Sequence, residues 1–253
     1  MSTRKAGGLR PGAQNPWLRR RVISYAHQAR TTDGRGPLNA LTLTEVRSLD
    51  NAYWFVSGGD EKRGLPAGAY SFRGRAPRDR DFCVATLDEV LELMDDYPNI
   101  ALNLDIKATA PVVEPYEELL AGALARHGST ERVIVASFLD LATEAFAGFA
   151  PDVTTSAGTL AVAGFWRALH QGVQPPPMRH AVLQVPAMRG DLVVVDERFV
   201  EAAHNCGLAV HVWTINDEKE MARLCDMGVD GIISDLPTPL VALLADRDLA
   251  YRP

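Results

Sequence analysis

The chain has 253 residues, 47% of them apolar and 23% charged, the composition of an ordinary soluble globular protein with enough material for a sizeable core. Its net charge of −6 argues weakly against a protein whose main task is coating nucleic acid, and three cysteines without C-x-x-C spacing argue against a zinc framework or a disulfide scaffold. No apolar run approaches the ~18 residues of a membrane span, and no apolar stretch of signal-peptide type follows the basic start, so a cytoplasmic protein without a stable membrane span is expected.

In chain order, Arg4, Lys5, Arg10, Arg19, Arg20 and Arg21 make the first 28 residues basic and acid-free, and residues 1–23 are expected to be a disordered basic tail. Arg21–Ala26 is a candidate short strand. Thr42-x-x-Glu45 and Thr86-x-x-Glu89 are capping boxes, each opening a helix. Ser57–Asp81, rich in Gly, Arg, Asp and Pro, reads as a long loop inside an insertion of about 51–84. From Ile100 onward short Val- and Ile-rich runs alternate with amphipathic helices. Candidate strands are Ile100–Lys107, Arg132–Phe138, Val153–Ala157, Ala181–Pro186, Leu208–Ile215 and Gly231–Ser234. Pro115 opens a helix that Gly128 closes. Asp196 caps one ended by Gly207, and Asp217 caps one ended by Gly228. This alternation predicts an α/β fold, a TIM-type (β/α)8 barrel that is incomplete, with two of the eight strands missing from the pattern.

Period-two alternation places functional groups. In Ile100–Lys107, Leu102, Leu104 and Ile106 face the outer helices, while Asn103, Asp105 and Lys107 face inward. Asp105 and Lys107 fall at the strand's C-terminal end, where such barrels carry their chemistry; a buried ion pair that merely closes the barrel top is the alternative. In Leu208–Ile215, Val210, Val212 and Thr214 share one face and His211, Trp213 and Ile215 the other. Trp213 can wall a pocket or serve as core, His211 reads as a satisfied interior histidine, and Asn216 and Asp217 lie at the mouth. Cys206 and Cys225 fit core positions of their helices. His27, His127, His170, His180 and His204 have no supporting pattern.

These residues resemble the glycerophosphodiester phosphodiesterase family of the bacterial type. The likeness covers roughly 30–240. It rests on Arg30-Thr-Thr-Asp-Gly-Arg-Gly-Pro37, Leu41-Thr-Leu-Thr-Glu-Val46, Asn51-Ala-Tyr-Trp-Phe55, Tyr70-Ser-Phe-Arg-Gly74, Ala85-Thr-Leu-Asp-Glu-Val-Leu91, Leu102-Asn-Leu-Asp-Ile-Lys107, His211-Val-Trp-Thr-Ile-Asn-Asp217 and Gly228-Val-Asp-Gly-Ile-Ile-Ser-Asp235. It implies one domain over 24–245 and a hydrolase of glycerophosphodiesters, giving glycerol 3-phosphate and an alcohol in lipid metabolism. It further implies a divalent cation, Ca²⁺ or Mg²⁺, with Asp105 as a metal ligand, Lys107 as the catalytic lysine that neutralises phosphate, and Trp213 and Asn216 at the substrate.

The chain also departs from the family pattern. It contains no His-Arg-Gly triplet, and no Glu-x-Asp precedes the matching region. Ser24 and Tyr25 stand where the family has a His-Asp pair, with His27 three residues away. A frameshift, a wrong start or a natural truncation is expected upstream, leaving the metal site incomplete and catalysis impaired. Two other readings stay open: a non-catalytic remnant that binds phosphate esters through Lys107 and Trp213, and an unrelated phosphate-binding barrel.

Overall fold

The computed structural model describes residues 21–24, 32–34, 41–56, 64–107 and 116–249. The basic tail before Arg21, the Arg30–Pro37 motif apart from 32–34, His27, Tyr25, Pro115 and the first part of the long loop lie outside them. The chain divides into two compact units, 24–98 on the one hand and 1–23 with 99–253 on the other.

The unit 24–98 carries helices α1 (Leu43–Ser48) and α2 (Leu87–Leu93). Both begin at the expected capping boxes: Thr42 and Thr86 accept from the amides of Glu45 and Glu89, whose carboxylates accept in return. Between them the chain has little regular structure, and side chains hold it instead. The Arg73 guanidinium lies 4.2 Å from the Tyr53 ring centre and 3.7 Å from that of Tyr70, and its Nε donates to the Tyr53 carbonyl at 2.9 Å. Buried Asp50 accepts from the amides of Ala52 and Gly74, so its charge is satisfied by backbone donors.

The larger unit is built on strands β1 (Arg21–Ser24), β2 (Ile100–Asp105), β3 (Val133–Ala136), β4 (Thr154–Thr155), β5 (Val182–Pro186), β8 (Ala209–Trp213) and β9 (Gly231–Ile232). They form two sheets, β1-β2-β3-β4 and β5-β8-β9. A parallel bridge between Ser156 and Val182 joins the two into one array. The pairings of β2 with β3, β3 with β4, β5 with β8 and β8 with β9 are parallel. A two-stranded antiparallel hairpin, β6 (Met188–Arg189) and β7 (Leu192–Val193), follows β5. Among the described residues the array is not closed: β1 and β9 stand at its edges, as an incomplete barrel requires. All six strands expected from Ile100 onward form, each somewhat shorter than read, and Arg21–Ser24 is a strand as well.

Helices α3 (Tyr116–Arg126), α4 (Asp140–Phe149), α5 (Thr159–His170), α6 (Glu197–Asn205), α7 (Glu218–Met227) and α8 (Pro237–Asp246) connect and follow these strands. Leu183, Val185, Val210 and Val212 bury the outer face of β5 and β8 against Phe165 of α5, Phe199 of α6 and Met221 and Leu224 of α7. The inner face has its own small cluster of Ile134, Val182 and Ala209. The alternation read from Val210 and Val212 therefore holds, because successive side chains on a strand point to opposite faces.

Caps fix the helix starts. Asp196 accepts from the Phe199 amide at 2.7 Å and Asp217 from the Glu220 amide at 2.9 Å. Gly228 ends α7 at φ +84°, a conformation that disfavours any residue with a Cβ. Replacing Asp217 with Ala is expected to cost about 1 kcal/mol, read as a lowered urea midpoint with unchanged m value.

The structure corrects two expectations. Cys206 is exposed, because α6 ends at Asn205 and Cys206 sits at its C-cap, outside the apolar stripe. Cys225 is partly buried on α7, and burial raises its thiol above the ordinary range. Histidine 211 is interior but not satisfied: its Nε2 is buried without a hydrogen-bond partner among the described residues.

Candidate active site

Three layers can be followed up the inside of the array. Nearest the strand starts is the apolar cluster of Ile134, Val182 and Ala209. Above it, Asn103 of β2 and Gln184 of β5 join side chain to side chain, with Nδ2 to Oε1 at 3.2 Å and Nε2 to Oδ1 at 3.0 Å. Two amides that each donate to the other form a satisfied pair at low cost, which is how polar groups survive in a barrel interior. This pair establishes the inward face of β2, and Asp105, two residues on, shares it.

His211 adjoins Gln184 in register and belongs to the same face. A Cβ on Gly231 would come within 2.7 Å of the His211 ring, so only glycine lets β9 pass there. Burial pushes His211 down to about 4, with the Asp230 charge pulling weakly the other way, so the ring is neutral at physiological pH.

At the C-terminal ends of the strands lie the charged groups. Lys107 Nζ donates to Asp105 Oδ2. Asp105 Oδ1 is buried and has no hydrogen-bond partner among the described residues. The Lys107 ammonium also lies 5.5 Å from the centre of the Phe138 ring, which meets Trp213 edge-to-face at 5.4 Å. Asp105, Lys107, Phe138 and Trp213 thus form a continuous run of contacts across the ends of β2, β3 and β8. Asp105, Lys107 and Trp213 were legible from the sequence; Phe138 was not, because the sequence pattern runs a strand on to it, whereas β3 stops at Ala136 and Phe138 lies in the turn beyond.

Asn216 sits beyond β8, and its described bonds tie it to the loop after β9. Its Oδ1 accepts from the Asp235 amide at 2.9 Å and the Ser234 hydroxyl at 3.1 Å, and its Nδ2 donates to Asp235 Oδ2 at 3.1 Å. Among the described residues no group of three or more His, Cys, Asp or Glu side chains is placed to hold a metal ion. A hard cation takes about six or more oxygen ligands. Asp105 alone, though its Oδ1 is open, does not make a Ca²⁺ or Mg²⁺ site from the described residues.

Two of the other described histidines, His180 and His204, have partners that the sequence did not announce. His180 bridges Thr155 Oγ1 at 2.9 Å and Glu144 Oε1 at 3.2 Å, and burial lowers its pKa although Glu144 opposes the shift. His204 Nε2 lies 2.8 Å from Asp230 Oδ2. Neither faces the strand ends that carry Asp105 and Lys107.

The sequence model described as the glycerophosphoryl diester phosphodiesterase family matches residues 26–238. A glycerophosphodiester phosphodiesterase of Caldanaerobacter subterraneus is 27% identical over 215 residues, 85% of this chain and 76% of that protein. A probable glycerophosphodiester phosphodiesterase 2 of Mycobacterium tuberculosis is 31% identical over 157 residues, 60% of this chain and 56% of that protein. Among solved structures, the glycerophosphoryl diester phosphodiesterase domain of another M. tuberculosis protein superposes with a TM-score of 0.65 at 19% identity, covering 88% of this chain and 82% of that one. An Oleispira antarctica phosphodiesterase in complex with the product sn-glycerol-3-phosphate superposes with a TM-score of 0.59 at 22% identity, covering 87% of this chain and 78% of that one.

The parallel α/β-barrel fold and the matched sequence model put the chain among the phosphoric diester hydrolases. It belongs to the glycerophosphoryl diester phosphodiesterase family. Among its described residues no helix is long and apolar enough to cross a membrane.

Proposed function

We propose that this chain binds glycerophosphodiesters at the C-terminal ends of its strands through Lys107, and that it hydrolyses them at a much reduced rate. The observation that supports this most is the Asp105–Lys107 pair at the strand ends, with Lys107 over the Phe138 ring that in turn meets Trp213. The Lys107 ammonium neutralises a phosphate oxygen, Asp105 fixes its direction, and Trp213 gives the glycerol carbons an apolar wall. Asn216 acts by holding the Ser234–Asp235 loop at the mouth. In a complete site of this kind a divalent cation would stabilise charge developing on the phosphoryl oxygens.

The reduced rate follows from the groups that do not accompany Lys107. The sequence contains no His-Arg-Gly, and Ser24 and Tyr25 occupy the positions of the family's His-Asp pair. Positioned acid–base groups contribute roughly 10²–10⁴-fold in rate, and that factor is what the chain lacks.

The test is an assay on glycerophosphocholine with and without Ca²⁺ or Mg²⁺, beside calorimetry with glycerol 3-phosphate. The expected result is measurable binding of glycerol 3-phosphate and little or no turnover with either cation. Brisk cation-dependent turnover, lost in Asp105→Ala, overturns the impairment. Absence of glycerol 3-phosphate binding overturns the proposed site.

A further inference from the structure

Lys107 stands two residues past the end of β2, and one buried hydroxyl governs how it is presented. β2 and β3 run in parallel register as far as the pair Asp105–Ala136, and the Ile106 amide continues the ladder by donating to the Ala136 carbonyl at 2.8 Å. In a parallel ladder the Ile106 carbonyl would next accept from the amide of Phe138. The Ser137 hydroxyl donates to it instead, at 2.6 Å. β3 can therefore stop at Ala136 and the chain can turn at Phe138 without leaving that carbonyl unpaired.

The same hydroxyl is used a second time. Its oxygen accepts from the Leu139 amide at 3.0 Å, closing around Phe138 a turn of the kind that serine side chains favour. The Phe138 carbonyl accepts from the Thr159 amide at 3.1 Å, which ties this turn to the start of α5. Ser137 is buried, so water competes poorly for either of its hydrogen bonds.

We propose that Ser137 is a positioning residue for Lys107, fixing both the stem of the lysine and the ring over which its ammonium lies. The proposal rests on Lys107 as the group that meets the phosphate. The Ile106 carbonyl belongs to the planar peptide that also carries the Lys107 nitrogen and Cα, so holding that oxygen sets the plane from which the lysine side chain departs. The turn held by the other side of the hydroxyl sets the Phe138 ring, whose centre is 5.5 Å from the Lys107 ammonium. Stem and ring are thus placed by one group. A flexible lysine held in this way has less rotamer freedom to lose when it meets an anion. A serine that served only to satisfy a buried carbonyl would support the fold and leave the direction of Lys107 to its ion pair with Asp105.

The test reads the lysine and the phosphate separately, on the full chain. NMR follows the Lys107 methylene next to the ammonium, which carries a ring-current shift from Phe138; Phe138→Leu marks the loss of that shift. Calorimetry follows glycerol 3-phosphate. Ser137→Ala is expected to remove most of the ring-current shift and to weaken glycerol 3-phosphate binding about threefold to tenfold, and Ser137→Thr, which keeps the hydroxyl, to restore both. In the Lys107→Met background Ser137→Ala is expected to change binding no further, because the serine acts through the lysine. An unchanged ring-current shift in folded Ser137→Ala overturns the proposal, and so does a loss of binding of equal size with and without Lys107. If Ser137→Ala does not fold, Ser137→Cys takes its place: its thiol is a weak donor, so a partial loss of the shift is expected, and an unchanged shift overturns the proposal in the same way. If Ser137→Ala moves the lysine but Lys107→Met binds glycerol 3-phosphate as the wild type does, Ser137 still places Lys107 and it is the phosphate site that fails.

Discussion

Acidification from pH 6.5 to pH 4 is expected to lower the unfolding free energy of this chain by about 3 kcal/mol through His211 alone. The folded chain keeps His211 neutral because the ring is fully buried and its Nε2 has no partner among the described residues. In the unfolded chain the same ring takes up a proton near its ordinary value of 6.5. Between the two values the unfolded state binds the extra proton, so stability falls as pH falls and rises as pH rises. Below about 4 both states are protonated and His211 contributes no further slope. The interval, at roughly 1.4 kcal/mol per pH unit, gives the stated figure.

Other groups can be told apart from it. His180 is also lowered by burial and adds a slope of the same sign, with Glu144, Arg179 and Asp140 acting on it. The capping-box carboxylates of Glu45 and Glu89 are held below their ordinary value of 4.5, chiefly by the Thr42 and Thr86 amides, so they add a slope of the same sign only at the acid end of this range. Urea titrations across the range in wild type, His211→Leu and His180→Gln check the assignment. The His211→Leu chain is expected to lose most of the slope. A slope unchanged in that variant would place the proton uptake elsewhere.

How much of this was legible in the sequence depends on how local the cause is. Asp196, Asp217 and the two Thr-x-x-Glu boxes act within one turn, so their hydrogen bonds followed from spacing alone. The inward turn of Asn103 and Asp105 followed from strand alternation, which is also local. The Gln184 partner of Asn103 lies 81 residues away and is set by sheet order, which composition does not encode. Cys206 shows the limit of helical periodicity: the pattern continues to it, but Gly207, at φ +74°, stops the helix one residue sooner. The β6–β7 hairpin had a readable signal in Arg189-Gly190-Asp191 between apolar residues, with Gly190 at φ +60° in the turn. His211 was placed inside correctly, but its missing partner is a property of its neighbours. Gly231 beside it supplies room and no donor or acceptor side chain.

The sharpest expectation at the strand ends concerns opposite signs at two adjoining positions. In the absence of added cation, Lys107→Met is expected to weaken glycerol 3-phosphate binding about tenfold or more, because the substitution keeps the stem and removes the charge that meets the phosphate. Asp105→Asn is expected to strengthen it severalfold. The amide removes a negative charge from beside the anion and releases Lys107 from the ion pair that now engages it. The side chains of Lys107 and Asp105 are 37% and 25% exposed, so solvent screens both effects and higher salt should shrink them together. A merely structural ion pair would make both substitutions destabilising and neither selective for the anion. Calorimetry with glycerol 3-phosphate and with glycerol, at low and high salt, separates the cases. If Asp105→Asn weakens binding as much as Lys107→Met, Asp105 contributes to the ligand directly, through its unpartnered Oδ1. In that case the pair is not a lysine held ready by its neighbour, and Asp105 is the first group to examine for a proton or a cation carried to the phosphate.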